Sequence, residues 1–289
     1  MTSKQYLFSF ALATLSFIAA KSIQKEGVQD YFDKIADAFQ EEIGAIDFER
    51  ASKVAYLPMG LQPLTALVQI DSTRNMALSQ DSLQVIELDS QLQRFAPVLQ
   101  LPQELKMQQL ASFDSTLVLL DTEQRLHFLT APYAFSTERL FTLPTEEDVK
   151  HLITYHPNLK RLVVFNSLLL ENGKRRFTCK LLHTSRLQLS QMPLYSFDTE
   201  EILFEPISIA VQPQSNEFYL LSESGEVVVL GQNGEIIKRA QLPSGLSQPK
   251  IISFSYHGDL IVTDADNLHP AVMRLEWQKM LSKQGAFIH

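Results

Sequence analysis

From Phe48 onward, the sequence is a succession of short β-strand patterns that repeat in groups of four. Runs of β-branched, aromatic and leucine residues are separated by Asp, Asn, Ser, Gln and Pro, which is typical of short antiparallel strands. The groups start near Pro63, Gln108, Lys150, Ile207 and Lys250, so that successive starts are 45, 42, 57 and 43 residues apart. A period of this length with four strands in each unit predicts an all-β fold, namely a β-propeller.

The number of repeating units predicts the number of blades. Five groups are present, and the long third interval is explained by a polar insertion around Glu171–Arg176 and by the segment 196–205. The last group has only three clear strands, and Lys53–Leu57 is predicted to supply the fourth. Such a closure hides the sheet edges that would otherwise invite aggregation. The sequence therefore favours five four-stranded blades over residues 47–277, and six blades with one degenerate blade is the alternative.

The N-terminal segment has the features of an export signal. Lys4 precedes an apolar run from Tyr6 to Ala20, and small residues follow that run. The run is short for a membrane-spanning helix, which needs roughly 20 residues. Residues 1–22 are therefore predicted to be a secretory signal peptide, which places the protein in the periplasm or at the cell envelope. The alternative is an uncleaved anchor, which would add membrane association through this segment.

Two further segments flank the predicted propeller. Apolar residues recur at spacings of three and four in residues 23–46, which predicts an amphipathic helix. The simplest interpretation is a helical spacer, and a partner-binding helix is the alternative. Residues 278–289 follow the last strand pattern and are predicted to be a C-terminal tail.

Charge and cysteine content exclude several classes of protein. The formal net charge is −8, which argues against a nucleic-acid-binding protein of the usual basic kind. The basic run Lys174–Arg176 lies in the predicted insertion and is interpreted as a solvated hairpin tip, so no nucleic-acid partner is predicted. Cys179 is the single cysteine, which excludes an internal disulfide and a cysteine-based zinc site.

The order of the hairpins resembles that of a known family, most clearly over Pro206–Asn267. A Pro-led strand is followed by the hairpin residues Phe218–Ser222, the glycine-flanked run Gly225–Leu230 and the motif Gln248–Ile252. The same order is found in the SdiA-regulated family of bacterial extracytoplasmic propellers, distant relatives of NHL-repeat proteins. Weaker similarity reaches back to Leu57–Leu67, so the resemblance covers most of residues 48–277. A different propeller family with similar hairpins is the rival interpretation.

The resemblance implies a calcium site made by acidic residues at the inner ends of the blades. The family motifs EISGL, DYEDIA, EGL and QPEGI are here PLTAL (Pro63–Leu67), KMQQLA (Lys106–Ala111), KHL (Lys150–Leu152) and QPKII (Gln248–Ile252). A calcium ion needs several oxygen ligands, usually carboxylates. Neutral side chains and two lysines stand at the matched positions, and the lysines would repel the ion. We therefore predict that the calcium site is lost and that no cofactor is bound.

The matched positions also supply the candidate ligand-binding residues. These are Gln108, Lys150, His151, Lys250 and Asp264. As the resemblance implies, they would face the central channel, where the lysines would attract a small anion or an acidic group. The alternative is that the lysines are solvated, or are paired with Asp148 or Asp264, and contribute little energy.

No sequence motif predicts catalysis. An HExxH motif, a Gly-rich phosphate loop, a G-x-S-x-G motif and a Cys–His signature are all absent. The densest group of side-chain oxygens is Asp259, Asp264, Asp266 and Asn267, which is interpreted as a turn-rich loop. The sequence therefore favours an exported, non-catalytic propeller that binds a protein or a cell-envelope component. The alternatives are a metal-dependent hydrolase of the esterase or phosphoesterase type and a sensor of a small anionic ligand in the channel.

Overall fold

The computed structural model describes residues 44–49, 53–58, 61, 63–79, 83–135, 139–144, 149–171, 174–199, 204–264 and 270–279. The predicted signal peptide, residues 23–43 of the predicted spacer and the tail from residue 280 lie outside these ranges. Within them, every regular element is a β-strand. No helix in this part of the chain is long and apolar enough to cross a membrane.

The described ranges contain twenty-three strands. They are β1 (Gly44–Ile46), β2 (Lys53–Tyr56), β3 (Leu64–Gln69), β4 (Arg74–Ser79), β5 (Gln84–Asp89), β6 (Phe95–Gln100), β7 (Met107–Phe113), β8 (Thr116–Asp121), β9 (Arg125–Thr130), β10 (Leu140–Thr142), β11 (Val149–His156), β12 (Arg161–Leu169), β13 (Arg175–His183), β14 (Gln188–Leu189), β15 (Tyr195–Thr199), β16 (Pro206–Val211), β17 (Phe218–Ser222), β18 (Glu226–Leu230), β19 (Ile236–Gln241), β20 (Pro249–Phe254), β21 (Leu260–Asp264), β22 (Ala271–Leu275) and β23 (Trp277–Lys279).

Twenty-one of these strands form five antiparallel sheets, each of which is one blade of a propeller, and β1 and β23 form a separate two-stranded sheet. From the centre outwards, blade 1 is β3–β4–β5–β6, blade 2 is β7–β8–β9–β10 and blade 4 is β16–β17–β18–β19. Blade 3 is β11–β12–β13 with β14 and β15 sharing its outer edge, and blade 5 is β20–β21–β22–β2. The innermost strands β3, β7, β11, β16 and β20 contact one another in a closed ring around a central channel. The five-bladed prediction is confirmed, and the six-bladed alternative is wrong.

The N-terminal strand β2 closes the ring. It pairs antiparallel with β22, so that Lys53 lies opposite Arg274 and Tyr56 lies opposite Ala271. Blade 5 is thereby built from both ends of the propeller sequence, as the missing fourth strand predicted. Leu57 follows β2 directly and is buried between blade 5 and blade 1.

The structure corrects both predicted boundaries of the propeller. Gly44–Ile46, predicted as the end of the helical spacer, is a strand that pairs with Trp277–Lys279, which extends into the predicted tail. Ile46 is 2% exposed and belongs to the core cluster between blades 4 and 5, against which Trp277 packs. This burial depends on residues more than 200 positions apart in the chain, so local periodicity could not predict it.

The core lies between the blades, because successive residues of a strand pack against different neighbours. In β17, Phe218 and Leu220 contact blade 3, whereas Tyr219 and Leu221 contact blade 5. Both faces of the strand are therefore buried, which explains why its sequence is a continuous apolar run rather than an alternating one. The other middle strands follow the same rule, and five clusters of this kind fill the spaces between the blades.

The polar insertion lengthens the central hairpin of blade 3. β12 and β13 have nine residues each, and their pairing runs as far as Leu169 opposite Arg175. β14 and β15 pair with opposite ends of β13, so two short strands complete the outer edge. The insertion therefore adds strand residues near one end of the channel without adding a blade.

Candidate functional site at one mouth of the channel

The second residue of every inner strand occupies an equivalent position at one end of the channel. In β3, β7, β16 and β20 the pairing with the next strand skips this residue, which makes it a β-bulge. In β11 the pairing is continuous, and the second residue lies opposite Ser167. A bulge redirects a side chain and breaks regular pairing, and bulges are common beside binding sites. The five residues are Thr65, Gln108, Lys150, Ile207 and Lys250.

These five residues line a single cavity of about 550 Å³, which we call the mouth. Its other lining residues are Gln109, Glu223, Ser247, Gln248 and Pro249. The mouth therefore presents amides, hydroxyls and two ammonium groups, together with one carboxylate among its described lining residues. These groups bind ligands by hydrogen bonds and by attraction of negative charge.

A second cavity of about 260 Å³ opens at the other end of the channel, which we call the far opening. It lies at the carboxyl ends of the inner strands, where Gln69, Asp71, Tyr155 and Tyr256 are among its lining residues. Apolar residues such as Ile153 and Phe254 form much of the rest of its wall. The two ends of the channel are thus chemically distinct, and both described lysines of the channel lie at the mouth.

Three of the five residues predicted from sequence meet at the mouth, namely Gln108, Lys150 and Lys250. His151 is 2% exposed and is turned towards blade 2, where its Nδ1 lies 2.9 Å from Oε1 of Gln124. It follows Lys150 directly, and successive side chains of a strand point to opposite faces. His151 is therefore part of the packing between two blades and does not line the mouth.

Gln109 joins the inner strands of blades 2 and 3. Its Nε2 donates to the carbonyl oxygen of His151 at 3.2 Å, and its Oε1 accepts from the backbone N–H of Ile153 at 2.7 Å. One amide side chain thus satisfies a donor and an acceptor on the neighbouring blade. An acidic residue at this position could accept but could not donate, so glutamine suits this contact.

Asp264 positions the mouth without lining it. Its carboxylate is 3% exposed and accepts from the backbone N–H of Ser247 at 2.7 Å, from Oγ of Ser247 at 3.1 Å and from the backbone N–H of Gln248 at 2.9 Å. The loop that leads into β20 is held by these bonds, and with it Gln248 and Lys250. The acidic residue predicted to bind a ligand therefore holds the backbone that carries four mouth residues, Ser247–Lys250.

Asp121 has the same place in blade 2, and sequence interpretation missed it. Its Oδ1 accepts from the backbone N–H groups of Glu123 and Arg125, and its Oδ2 accepts from Nε of Arg125 at 2.7 Å and lies 2.9 Å from Nε2 of His127. Burial raises the pKa of Asp121, but the hydrogen bonds from His127 and Arg125 outweigh it and hold the pKa below its ordinary value. A polar residue that ends an apolar strand is the sequence signal, since Ser79, Asp121, Ser222 and Asp264 all lie opposite the first residue of an inner strand.

Lys150 has a different partner from those predicted. Its Nζ lies 3.3 Å from Oε1 of Glu205, and Oε2 of the same carboxylate lies 3.6 Å from Nη2 of Arg175. Asp148 lies outside the described residues. Arg175 is 8% exposed, so the prediction of a solvated hairpin tip is wrong for this residue. The lengthened hairpin of blade 3 brings Arg175 next to the inner strand, and Arg175 was therefore missing from the sequence-based site.

The mouth residues do not fit a divalent cation. One carboxylate and two ammonium groups line it beside neutral amides and hydroxyls, whereas calcium sites usually contain several carboxylates and the ammonium groups would repel the ion. Among the described residues, no group of three or more His, Cys, Asp or Glu side chains is arranged to hold a metal ion. Asp259 contacts the backbone N–H of Trp277 and the side chain of Arg274, while Asp266 and Asn267 lie outside the described residues. The loss of the family's calcium site stays a prediction.

The buried His151 should make folding sensitive to mild acid. Burial, aided by the charge of Lys180, lowers the pKa of His151 from 6.5 to about 4. At a pH between these two values, His151 is protonated in the unfolded chain and neutral in the folded protein. The free energy of unfolding therefore falls as the pH drops through this range. We expect a loss of about 2 kcal/mol between pH 7 and pH 5, measured by urea unfolding, and a clearly smaller loss in His151→Gln. The exposed His257 is the control site, and an equal effect of His257→Gln would contradict this origin of the pH dependence.

Comparison with known proteins gives the fold and no family. No protein family matches the sequence, and no curated protein matches it either. Among solved structures, Myxococcus xanthus glutaminyl cyclase is 12% identical with a TM-score of 0.52, covering 82% of this chain and 97% of its own. A streptogramin B lyase structure is 10% identical with a TM-score of 0.50, covering 78% of this chain and 98% of its own. At these identities the likeness shows the β-propeller fold alone, and one fold hosts many activities.

Proposed function

We propose that this protein is an exported, non-catalytic propeller that recognises a protein or a cell-envelope component at the mouth. One observation carries the proposal. The equivalent residue of all five inner strands lines a single cavity of about 550 Å³, and four of the five reach it from a β-bulge. A repeated deviation from regular pairing, placed at one end of a rigid ring, is the kind of feature that aims side chains at a ligand.

The chemistry of the mouth supports recognition of an acidic group. Lys150 and Lys250 supply positive charge, and Gln108 and Gln248 supply amides that both donate and accept. The whole chain carries a formal charge of −8, so the basic mouth contrasts with the average surface. Complementary charge of this kind orients an incoming partner and disfavours wrong ones.

Export and family membership belong to the same proposal. Residues 1–22 have the pattern of a secretory signal, and the hairpin order over Pro206–Asn267 resembles the SdiA-regulated extracytoplasmic propellers. A periplasmic or envelope-facing propeller would meet its partner there, with membrane association through the N-terminal segment if the signal is retained. The acidic residues of the family's calcium site are replaced at the mouth, so its ligand would differ from the family's.

A sensor of a small anionic ligand is the second candidate. The observation in its favour is that Lys150 and Lys250 line the same cavity, which is large enough for a small molecule. A metal-dependent hydrolase would need clustered carboxylates or histidines. The described lining of the mouth has one carboxylate and no histidine, so no specific observation favours that reaction.

Affinity isolation of the exported full-length protein from envelope extracts tests the proposal, with bound proteins identified by mass spectrometry. Recovery of the partner should fall at least about tenfold in Lys150→Gln/Lys250→Gln, since each lysine would make a charge-assisted contact. The control is Lys160→Gln/Arg186→Gln, which removes the same charge from exposed positions at the other end of blade 3. Equal recovery with all three proteins would contradict the proposal, whereas a co-purified small acid in place of a protein would favour the sensor.

A further inference from the structure

Arg175 lies near the mouth residue Lys150 and is unusual because it is charged and almost fully buried. Only 8% of the residue is exposed, and Nη1 donates to Oγ of Ser167 at 2.9 Å. Its Nε is buried and has no hydrogen-bond partner in the described part of the chain. Buried charges in proteins are normally paired and fully hydrogen-bonded. The guanidinium is therefore fixed in place while its charge is incompletely satisfied.

Lys150 lies beside this guanidinium on the same sheet. Lys150 is opposite Ser167 in the pairing of β11 with β12, and Ser167 also accepts the hydrogen bond from Arg175. One hydroxyl-bearing residue thus links the positions of the two cations. Lys150 lines the mouth directly, and Arg175 lies behind it, close enough to share the carboxylate of Glu205 with Lys150.

Glu205 bridges the two cations through separate oxygens. Oε1 is 3.3 Å from Nζ of Lys150, and Oε2 is 3.6 Å from Nη2 of Arg175. Strong charge-assisted hydrogen bonds are shorter, at about 2.7–2.9 Å. The Glu205 side chain is also 51% exposed, and exposed ion pairs contribute little to stability. The ion pair with the 41%-exposed Lys150 is therefore weak, whereas the buried Arg175 needs a counter-charge, so Glu205 leaves only as another carboxylate takes its place.

The backbone of Glu205 is anchored while its side chain is not. Phe204 is 3% exposed and packs against Phe177 with ring centroids 6.4 Å apart. Pro206 on the other side is buried at the start of β16. A fixed backbone with a half-exposed side chain allows Glu205 to leave the cations by a change of rotamer alone.

We infer that Lys150 and Arg175 are the anion-binding pair of the mouth, and that Glu205 occupies this pair in the free protein as an internal carboxylate that the ligand's carboxylate displaces. The inference rests on the proposed function and names its ligand chemistry, a carboxylate on an acidic segment of the partner. The ligand's carboxylate would take the position of the Glu205 carboxylate, in which one oxygen faces each cation. Binding exchanges one carboxylate for another, so the buried Arg175 keeps a counter-charge throughout.

The test uses the full-length protein and fluorescein-labelled hexa-L-glutamate, with binding followed by fluorescence anisotropy at low ionic strength. Glu205→Gln should tighten binding by roughly three- to fivefold, because an exposed ion pair no longer competes. Lys150→Gln should weaken it by about tenfold or more. Glu205→Asp, which withdraws the carboxylate by one methylene while keeping its charge, should fall between wild type and Glu205→Gln.

Glu223→Gln is the matched control, since it removes the one carboxylate among the described lining residues of the mouth. Equal tightening by Glu223→Gln and Glu205→Gln would overturn the inference, because a general loss of negative charge would then explain both. Absence of binding to wild type and to Glu205→Gln would also overturn it. Glutarate, added as a competitor, distinguishes a free small acid from an acidic peptide segment as the source of the carboxylate. If the variants rank in the same order by their affinity for glutarate, the cation pair is supported and a small acid is sufficient for binding. A mouth-dependent partner in the isolation experiment, combined with failure here, would reject this inference and leave the proposed function intact.

Discussion

Replacing residues 53–56 by Gly-Ser-Gly-Ser in the full-length protein should lower the free energy of unfolding by about 6 kcal/mol, at roughly 1 kcal/mol for each lost backbone hydrogen bond and roughly 2 kcal/mol for the loosened packing of Leu57 and Leu61. These residues form β2, whose four pairs with β22 close the ring between blade 5 and blade 1. Leu57 and Leu61 follow β2 and are 6% and 7% exposed, so their packing between these blades depends on the position of β2. Urea unfolding measured by far-ultraviolet circular dichroism reports the change.

The matched control is the same replacement in β6, the outer strand of blade 1. Residues 95–97 are exposed and β6 joins no distant parts of the chain, so the replacement there should cost about 4 kcal/mol, the hydrogen-bond part alone. If both replacements destabilise the protein equally, β2 is merely an outer strand and the ring does not depend on its closure. A loss of cooperativity confined to the β2 replacement would agree with an opened ring.

Asp121→Ala should lower the free energy of unfolding by about 3 kcal/mol, because it leaves His127, Arg125 and two backbone N–H groups without their shared acceptor. Asp121 is 1% exposed and His127 is 2% exposed, so water cannot replace the lost bonds easily. Adding His127→Leu to Asp121→Ala should recover part of the loss, since replacing both partners with apolar groups removes the unsatisfied donor.

Glu123→Ala is the control for the same turn. Its side chain is 67% exposed, and its contact with Arg125 is an ordinary surface ion pair. We expect a change within about 0.5 kcal/mol, as for most surface substitutions. Thermal and urea unfolding of the four proteins give the comparison, and a loss in Glu123→Ala as large as that in Asp121→Ala would contradict the role given to the buried carboxylate.

The repeat in the sequence was sufficient to predict the blades because each middle strand is buried on both faces. Continuous apolar runs such as Phe218–Leu221, bounded by turn residues, mark such strands without any knowledge of their partners. The incomplete last unit then required a closing strand, and Lys53–Leu57 was the nearest candidate. The start positions of the repeats also predicted the mouth residues Gln108, Lys150 and Lys250. Equivalent positions of the repeats lie at the same height in every blade and therefore meet at one end of the central channel.

The remainder of the site depends on features that the repeat does not carry. His151 and Lys150 are neighbours in the continuously paired β11, and their sequence alone does not indicate which side chain lines the mouth and which packs between the blades. Arg175 and Glu205 come from the segments that lengthened the third interval, so no equivalent residues in other blades pointed to them. The pairing of Gly44–Ile46 with Trp277–Lys279 joins the two ends of the described chain. No pattern of neighbouring residues predicts a pairing between segments so far apart in the sequence.

Site-specific photo-cross-linking distinguishes binding of the partner at the mouth from binding at the far opening. A photoreactive phenylalanine analogue is placed either at Ile207, in the wall of the mouth, or at Tyr256, which is 62% exposed at the far opening. The proposal predicts a cross-link to the isolated partner from position 207 and none above background from position 256. A cross-link from position 256 alone, or equal yields from both, would contradict it.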